Sequence, residues 1–196
     1  MKVFYDTEFL EDGKTIELIS IGMVAENGTT YQAYNSEMPT ERIKNHHWLM
    51  GNVVPHLPLV NGVGEIDGKK YFTLDYKDVN VKPRWVIANE VRTWLRSFDS
   101  LELWAYYCSY DHVALAQMFG PMVNLPMGIP MFTNDLRQLI GLVGKVTGLS
   151  KQQLMPKYPD HVEHDALSDA RQVMMHYNHL RTVLADYPST SVSRLL

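Results

Sequence analysis

Phe4-Tyr5-Asp6-Thr7-Glu8-Phe9, close to the N-terminus, sets two carboxylates two residues apart inside an apolar run. In a strand, residues i and i+2 point to the same face. Asp6 and Glu8 then project side by side, with Thr7 on the other face. Two like charges on an apolar strand repel and are poorly solvated. A shared proton, a basic side chain or a metal ion must neutralise them. By itself Asp-x-Glu is a weak signal, and the plainer reading is a half-exposed strand end with two solvated acids.

Working outward, Val3 to Thr7 reads as a first strand and Glu11-Asp12-Gly13-Lys14 as a turn. Glu17 to Ala25 is a strong strand run. Asn27-Gly28 is a hairpin signal, and Thr29 to Tyr34 returns as a third strand. Three strands joined by short turns imply an antiparallel meander. Thr40 is placed to cap a short helix running through His46, His47 and Trp48 to Met50. Residues 52–68 are irregular, and Lys69 to Asp75 reads as a small extra strand or a flap. Pro83 to Phe98 is a helix, with Pro83 in its first turn and Val86, Ile87, Val91, Trp94, Leu95 and Phe98 on one side.

Leu101 to Tyr107 reads as a buried strand. A helix from Ser109 follows it, with Asp111 in the first turn and Gly120 as its stop. Thr133-Asn134-Asp135 caps a helix to Val143, and Gly144 to Pro159 is loose. The final helix starts at Asp165, a favoured cap residue, and buries Ala166, Ala170, Val173, Met174, Tyr177 and Leu180. The fold class is α/β, a mixed sheet that begins as an antiparallel meander and is flanked by helices. Residues 1–185 form one domain and 186–196 a tail.

The 196 residues are 45% hydrophobic and 20% charged, enough for one sizeable core. A net charge of −4 argues against a broad basic face for duplex nucleic acid. It leaves open an enzyme that grips a short single-stranded end. Cys108 is the single cysteine, which excludes an intrachain disulfide and fits a reducing, cytoplasmic setting. No signal-peptide region and no run of about 18 apolar residues is present, so no membrane span is expected.

His164 and Asp169 lie five apart, one just before the last helix and one a turn into it. If the fold brings Asp6, Glu8, Asp111, His164 and Asp169 together, the result is an oxygen-rich site for two hard divalent cations. Metals paired at about 4 Å activate a water and stabilise the leaving oxygen of a phosphodiester. An imidazole suits the general-base role on that water. His46, His47 and His56 read as surface or substrate-rim residues, since adjacent histidines do not share a helix face. Phe9, Met23 and Tyr107 are candidates for stacking on a base, though each also reads as core. Arg137 either reaches a phosphate or sits on a solvated helix face.

These residues resemble the three motifs of the DEDD 3′–5′ exonucleases, in the subgroup with a histidine. Asp6-Thr7-Glu8 is similar to the first motif, Asp111 before Ala114-Leu115 to the second, and His164 to Ala170 (HDALSDA) to the third, in the family's order. Tyr5 to Phe9 (YDTEF), Ile16 to Gly22 (IELISIG), Tyr110 to Leu115 (YDHVAL) and Phe132 to Leu139 (FTNDLRQL) resemble more closely still the bacterial exoribonuclease AS group, polyadenylate-specific and related to ribonuclease T. The resemblance runs from Val3 to His179 and lapses over 61–81 and after Tyr187. It implies a ribonuclease H-like fold and two Mg²⁺ or Mn²⁺ ions. On this resemblance Asp6 bridges both ions, Glu8 and Asp169 complete the shell of the first ion, and Asp111 serves the second ion directly or through water. His164 deprotonates the water. It further implies cleavage of single-stranded RNA from its 3′ end to 5′-nucleoside monophosphates, with adenine-rich tails as substrate, and a homodimer. The alternatives are a DNA 3′–5′ exonuclease on the same fold, separated by a contact to the 2′-hydroxyl, and a non-catalytic nucleic-acid-binding module, whose sign is a missing ligand. A zinc hydrolase fits less well, because no histidine pair stands at ligand spacing.

Overall fold

The computed structural model describes residues 1–187, so the tail expected over 186–196 falls, beyond Tyr187, outside the described residues. β1 (Lys2–Glu11), β2 (Ile16–Ala25) and β3 (Thr30–Asn35) form the expected antiparallel meander. Gly28, at φ 89°, takes the left-handed position that closes the β2–β3 turn. β1 is longer than Val3 to Thr7 because it continues through a bulge between Glu8 and Phe9 to Glu11.

On the other side of β1 lies β7 (Glu102–Ala105), parallel to Lys2–Phe4, and next to it β8 (Asn134–Asp135). β6 (Val81–Lys82) pairs with β3, giving one six-stranded mixed sheet in the order β6-β3-β2-β1-β7-β8. β7 stops at Ala105, short of the expected Tyr107, because Tyr107 turns the chain at φ 55°.

Alternation along β1 decides what covers each face. Val3 and Tyr5, with Ile21 and Met23, pack against α3 (Arg84–Leu95) and α4 (Ser109–Gln117) through Ile87, Val91, Leu95 and Leu115. Phe4 and Val24 face α5 (Leu136–Thr147) and α7 (Ala166–Ala185), where they meet Leu136, Ile140, Val173 and Tyr177. Beyond the bulge, Leu10 joins Ile19 in a third cluster with Ile43, Leu49 and Leu74, under α1 (Thr40–Lys44) and α2 (His47–Asn52). Among the described residues no helix is long and apolar enough to cross a membrane.

Four local expectations are corrected. The helix from Thr40 to Met50 is two helices, because His46 is extended between them and caps α2 through its own Nδ1, which accepts the Leu49 N–H at 3.2 Å. Thr40 is not the cap of α1; the Pro39 carbonyl already accepts the N–H groups of Arg42 and Ile43. Pro83 stands at the cap of α3, with ψ 146°, rather than inside its first turn. The stretch 144–159 is more ordered than expected. α5 runs on to Thr147 and ends on Gly148 at φ 72°, and α6 (Lys151–Leu154) starts on a capping box of Ser150 and Gln153. Residues 61–81 contain a two-stranded hairpin, β4 (Gly64–Ile66) with β5 (Lys69–Tyr71), after which Phe72 and Leu74 plug the third cluster.

Candidate active site

Asp6 and Glu8 do share one face of β1, the face that α7 covers. Asp6 lies opposite Gly22 in the β1–β2 ladder. The first turn of α7 rests on that glycine, where a β-carbon would lie 2.2 Å from the Leu167 nitrogen. The missing side chain lets α7 come close enough to bring Asp169 alongside Asp6. Thr7 points the other way, as expected. Its N–H and hydroxyl both donate to Asp111 Oδ1, at 2.9 and 2.7 Å. Asp111 thus partners the edge of β1 where β7 has ended, from the first turn of α4.

Asp169 is held at both oxygens. His161 Nε2 meets Oδ1 at 2.6 Å, and Oδ2 accepts the N–H of His164 at 2.7 Å. The turn before α7 is clasped further by the Ser168 hydroxyl, which accepts the Val162 N–H, and by Asp165, which caps Ser168 as expected. Within this clasp His164 adopts a left-handed backbone at φ 66°. That conformation costs a non-glycine residue about 1–2 kcal/mol and persists only where surrounding contacts impose it. Its ring stands edge-on to Trp48 with centroids 4.8 Å apart, and Nδ1 is 3.9 Å from Glu8 Oε1.

The structure therefore places Asp6, Glu8, Asp111, His164 and Asp169 on the lining of one open cleft of about 490 Å³. Ligand atoms of Glu8, His164 and Asp169 lie within 4.8 Å of one another. Two charged carboxylates at that separation repel by about 3.5 kcal/mol at an effective dielectric near 20. Burial, then Asp169 and Asp111, push the Glu8 carboxyl up to about 9. Burial and the same neighbours hold the Asp6 carboxyl well above its usual range. Asp111 rises to about 6 through burial, opposed by its two bonds from Thr7. Asp169 is raised by burial, opposed by His161. A hard cation among these oxygens removes the repulsion, so the donor set fits a divalent metal.

Phe9 lines the cleft, half-buried and stacked on Tyr110 at 5.9 Å and 11°. Tyr107 also lines it, well exposed. Arg137 does not line it, and a hydrogen bond from Arg137 holds the Tyr107 hydroxyl below the ordinary phenol range. Met23 is corrected as a substrate contact, because it is fully buried under α3 and α4. Of the three rim histidines only His46 reaches the cleft, beside Trp48; His47 and His56 do not line it.

Sequence reasoning missed His161, Trp48 and Tyr110. His161-x-x-His164 in a turn before a capped helix was the available signal for the first. Tyr110 and Trp48 had none, since a lone aromatic at a helix start reads as packing.

No family model matches the chain. Two proteins named 3′–5′ exoribonuclease, from two strains of Mycobacterium tuberculosis, are each 40% identical to it over 183 residues, 90% of this chain and 91% of theirs. The solved structure of S. pombe Pop2p in its Mg²⁺- and Mn²⁺-bound form has a TM-score of 0.51 at 14% identity, covering 92% of this chain and 82% of its own. At that identity the likeness concerns the fold alone, and there the expected ribonuclease H-like architecture is borne out.

Proposed function

The chain belongs to the family of 3′–5′ exoribonucleases, and on that premise we propose a two-metal-dependent hydrolase that releases 5′-nucleoside monophosphates from the 3′ end of single-stranded RNA. The chain is an exonuclease. The observation that carries it is the convergence of four carboxylates and one histidine, from β1, α4 and the α7 turn, on one cleft.

In this reading Asp6, Glu8, Asp111 and Asp169 hold two Mg²⁺ or Mn²⁺ ions. When bound, the ions supply Lewis-acid activation of water and charge stabilisation at the leaving oxygen. His164 accepts the proton of the attacking water, a role that suits an imidazole at neutral pH. Trp48 and the strained backbone hold its ring in place, and Thr7 orients Asp111. Phe9 and Tyr107 offer aromatic faces to bases, and Arg137 steadies Tyr107.

Assignment to the histidine subgroup and to the exoribonuclease AS type, with adenine-rich tails as substrate, is supported by the motif likeness of YDTEF, HDALSDA and FTNDLRQL. A homodimer is supported by the exposed apolar side chains of Met122, Val123, Met127, Met131 and Phe132. A cytoplasmic site is supported by the single cysteine. Residues 1–185 act as one domain.

A time course on 5′-labelled RNAs of differing base composition, and on matched DNA, tests the reading in Mg²⁺ and in excess EDTA. Stepwise shortening of RNA from the 3′ end, lost in EDTA, is expected. Faster cleavage of DNA favours the deoxy alternative, and binding without cleavage favours the binding module.

A further inference from the structure

A second groove, of about 910 Å³, lies on the far side of α2 from the active cleft. His46, Trp48 and Leu49 line the first, while His47 and Met50 line the second, so one short helix separates them. The outer wall of the second groove is the β4–β5 hairpin. In its register Ile66 pairs with Lys69 and Gly64 with Tyr71, and these four share a face by strand alternation. Tyr71 lies over Gly64 so closely that a β-carbon there would sit 2.3 Å from its ring. The glycine thus gives a partly exposed aromatic ring a fixed seat on the hairpin. Lys69 beside it is exposed and makes no ion pair among the described residues.

The groove also holds acids. Glu65 lies opposite Lys70 on the hairpin's other face, Asp67 is at its tip, and Glu41 is tied to Lys44 at 2.7 Å. The Lys69–Tyr71 face carries no acid. A cation next to an aromatic platform is the composition that holds single-stranded nucleic acid, through phosphate attraction and base stacking. Arg137, by contrast, is engaged with Tyr107.

We propose that the Lys69–Tyr71 face of the β4–β5 hairpin binds the upstream part of a single-stranded RNA whose 3′ end occupies the active cleft. The inference rests on the exoribonuclease reading and deepens it. A helix is about 10 Å across, so a strand crossing α2 reaches the hairpin roughly two to three nucleotides from the scissile bond. Long substrates gain the contact and a dinucleotide does not.

The test compares kcat/KM for diadenylate and dodecaadenylate in the full chain with Mg²⁺. Lys69→Ala combined with Tyr71→Ala is expected to lower the long-to-short ratio roughly tenfold. Lys69→Glu, a single change on an exposed residue that keeps the ring in place, lowers the same ratio, and Lys69→Arg retains it. Lys69→Ala flattens the log–log salt dependence for the long substrate by about 0.7. Equal losses on both substrates, or an unmoved ratio, overturn the proposal. If the unmodified protein cleaves neither substrate, it is the exoribonuclease reading that fails.

Discussion

Replacing Gly22 by alanine tests how the site is assembled. The new β-carbon would lie 2.2 Å from the Leu167 nitrogen and 2.3 Å from the Ala166 carbonyl carbon. Ordinary contact begins at 3.4 Å, so the first turn of α7 must retreat by 3.4 − 2.2, or about 1.2 Å. That turn carries Asp169 and anchors His164 through it. Overpacking of this kind costs about 1–3 kcal/mol. At this chain length it lowers Tm by about 2–12 °C. A displacement of about 1 Å at a catalytic constellation costs about 10²-fold in rate. Gly22→Ala is therefore expected to fold at 25 °C, melt lower and cleave roughly a hundredfold more slowly. Gly51→Ala is the control, because its β-carbon meets nothing within 4 Å. On α2 it stabilises by about 0.4–1 kcal/mol and leaves the rate unchanged. The assay is single-turnover cleavage of oligoadenylate at saturating Mg²⁺, with thermal melts alongside. A Gly22→Ala protein with the unmodified rate and melting point would refute the reasoning, since it would show slack between β2 and α7 where the geometry leaves none.

Asp6→Asn and Asp169→Asn are expected to lower hydrolysis by at least about 10³-fold, yet to melt higher than the unmodified protein in EDTA, because each removes one of the crowded acids; an unfolded Asp6→Asn protein counts against a purely catalytic role. His164→Ala should lower kcat by about 10²–10⁴-fold while the Mg²⁺ concentration for half-maximal rate stays put, read by titrating Mg²⁺ in both proteins. Without divalent ions, stability should fall as pH rises. The folded Glu8 carboxyl titrates near 9 against an unfolded 4.5, so between those values the folded state binds more protons, and Asp111 adds the same sign between 3.8 and about 6. Melts across that window in EDTA check it, with Mg²⁺ restoring the loss; a metal-free protein that gains stability toward pH 9 contradicts it.

Much of this architecture was legible from local chemistry. Asn27-Gly28 announces its hairpin because the turn needs positive φ, and Asp135 and Asp165 announce helix starts because their side chains satisfy free N–H groups. Period-two alternation placed Asp6 and Glu8 on one face and Thr7 on the other. Errors came where neighbours outweighed local preference. Pro39 rather than Thr40 stands at the cap of α1, His46 breaks the expected helix to cap α2, and Met23, an apolar residue on β2, lies under α3 and α4 rather than at the cleft.

What the sequence alone determined is the set of residues able to do the chemistry and the elements that carry them, because both follow from residue type and short-range spacing. Only the tertiary structure decided that these elements meet. Asp6 and Asp169 are 163 positions apart, and their approach depends on Gly22 having no side chain where α7 crosses β2. His161 on Asp169, Trp48 against His164 and Tyr71 over Gly64 are contacts of the same kind. They depend on packing distances of a few ångströms between elements, a quantity that no single stretch of chain encodes.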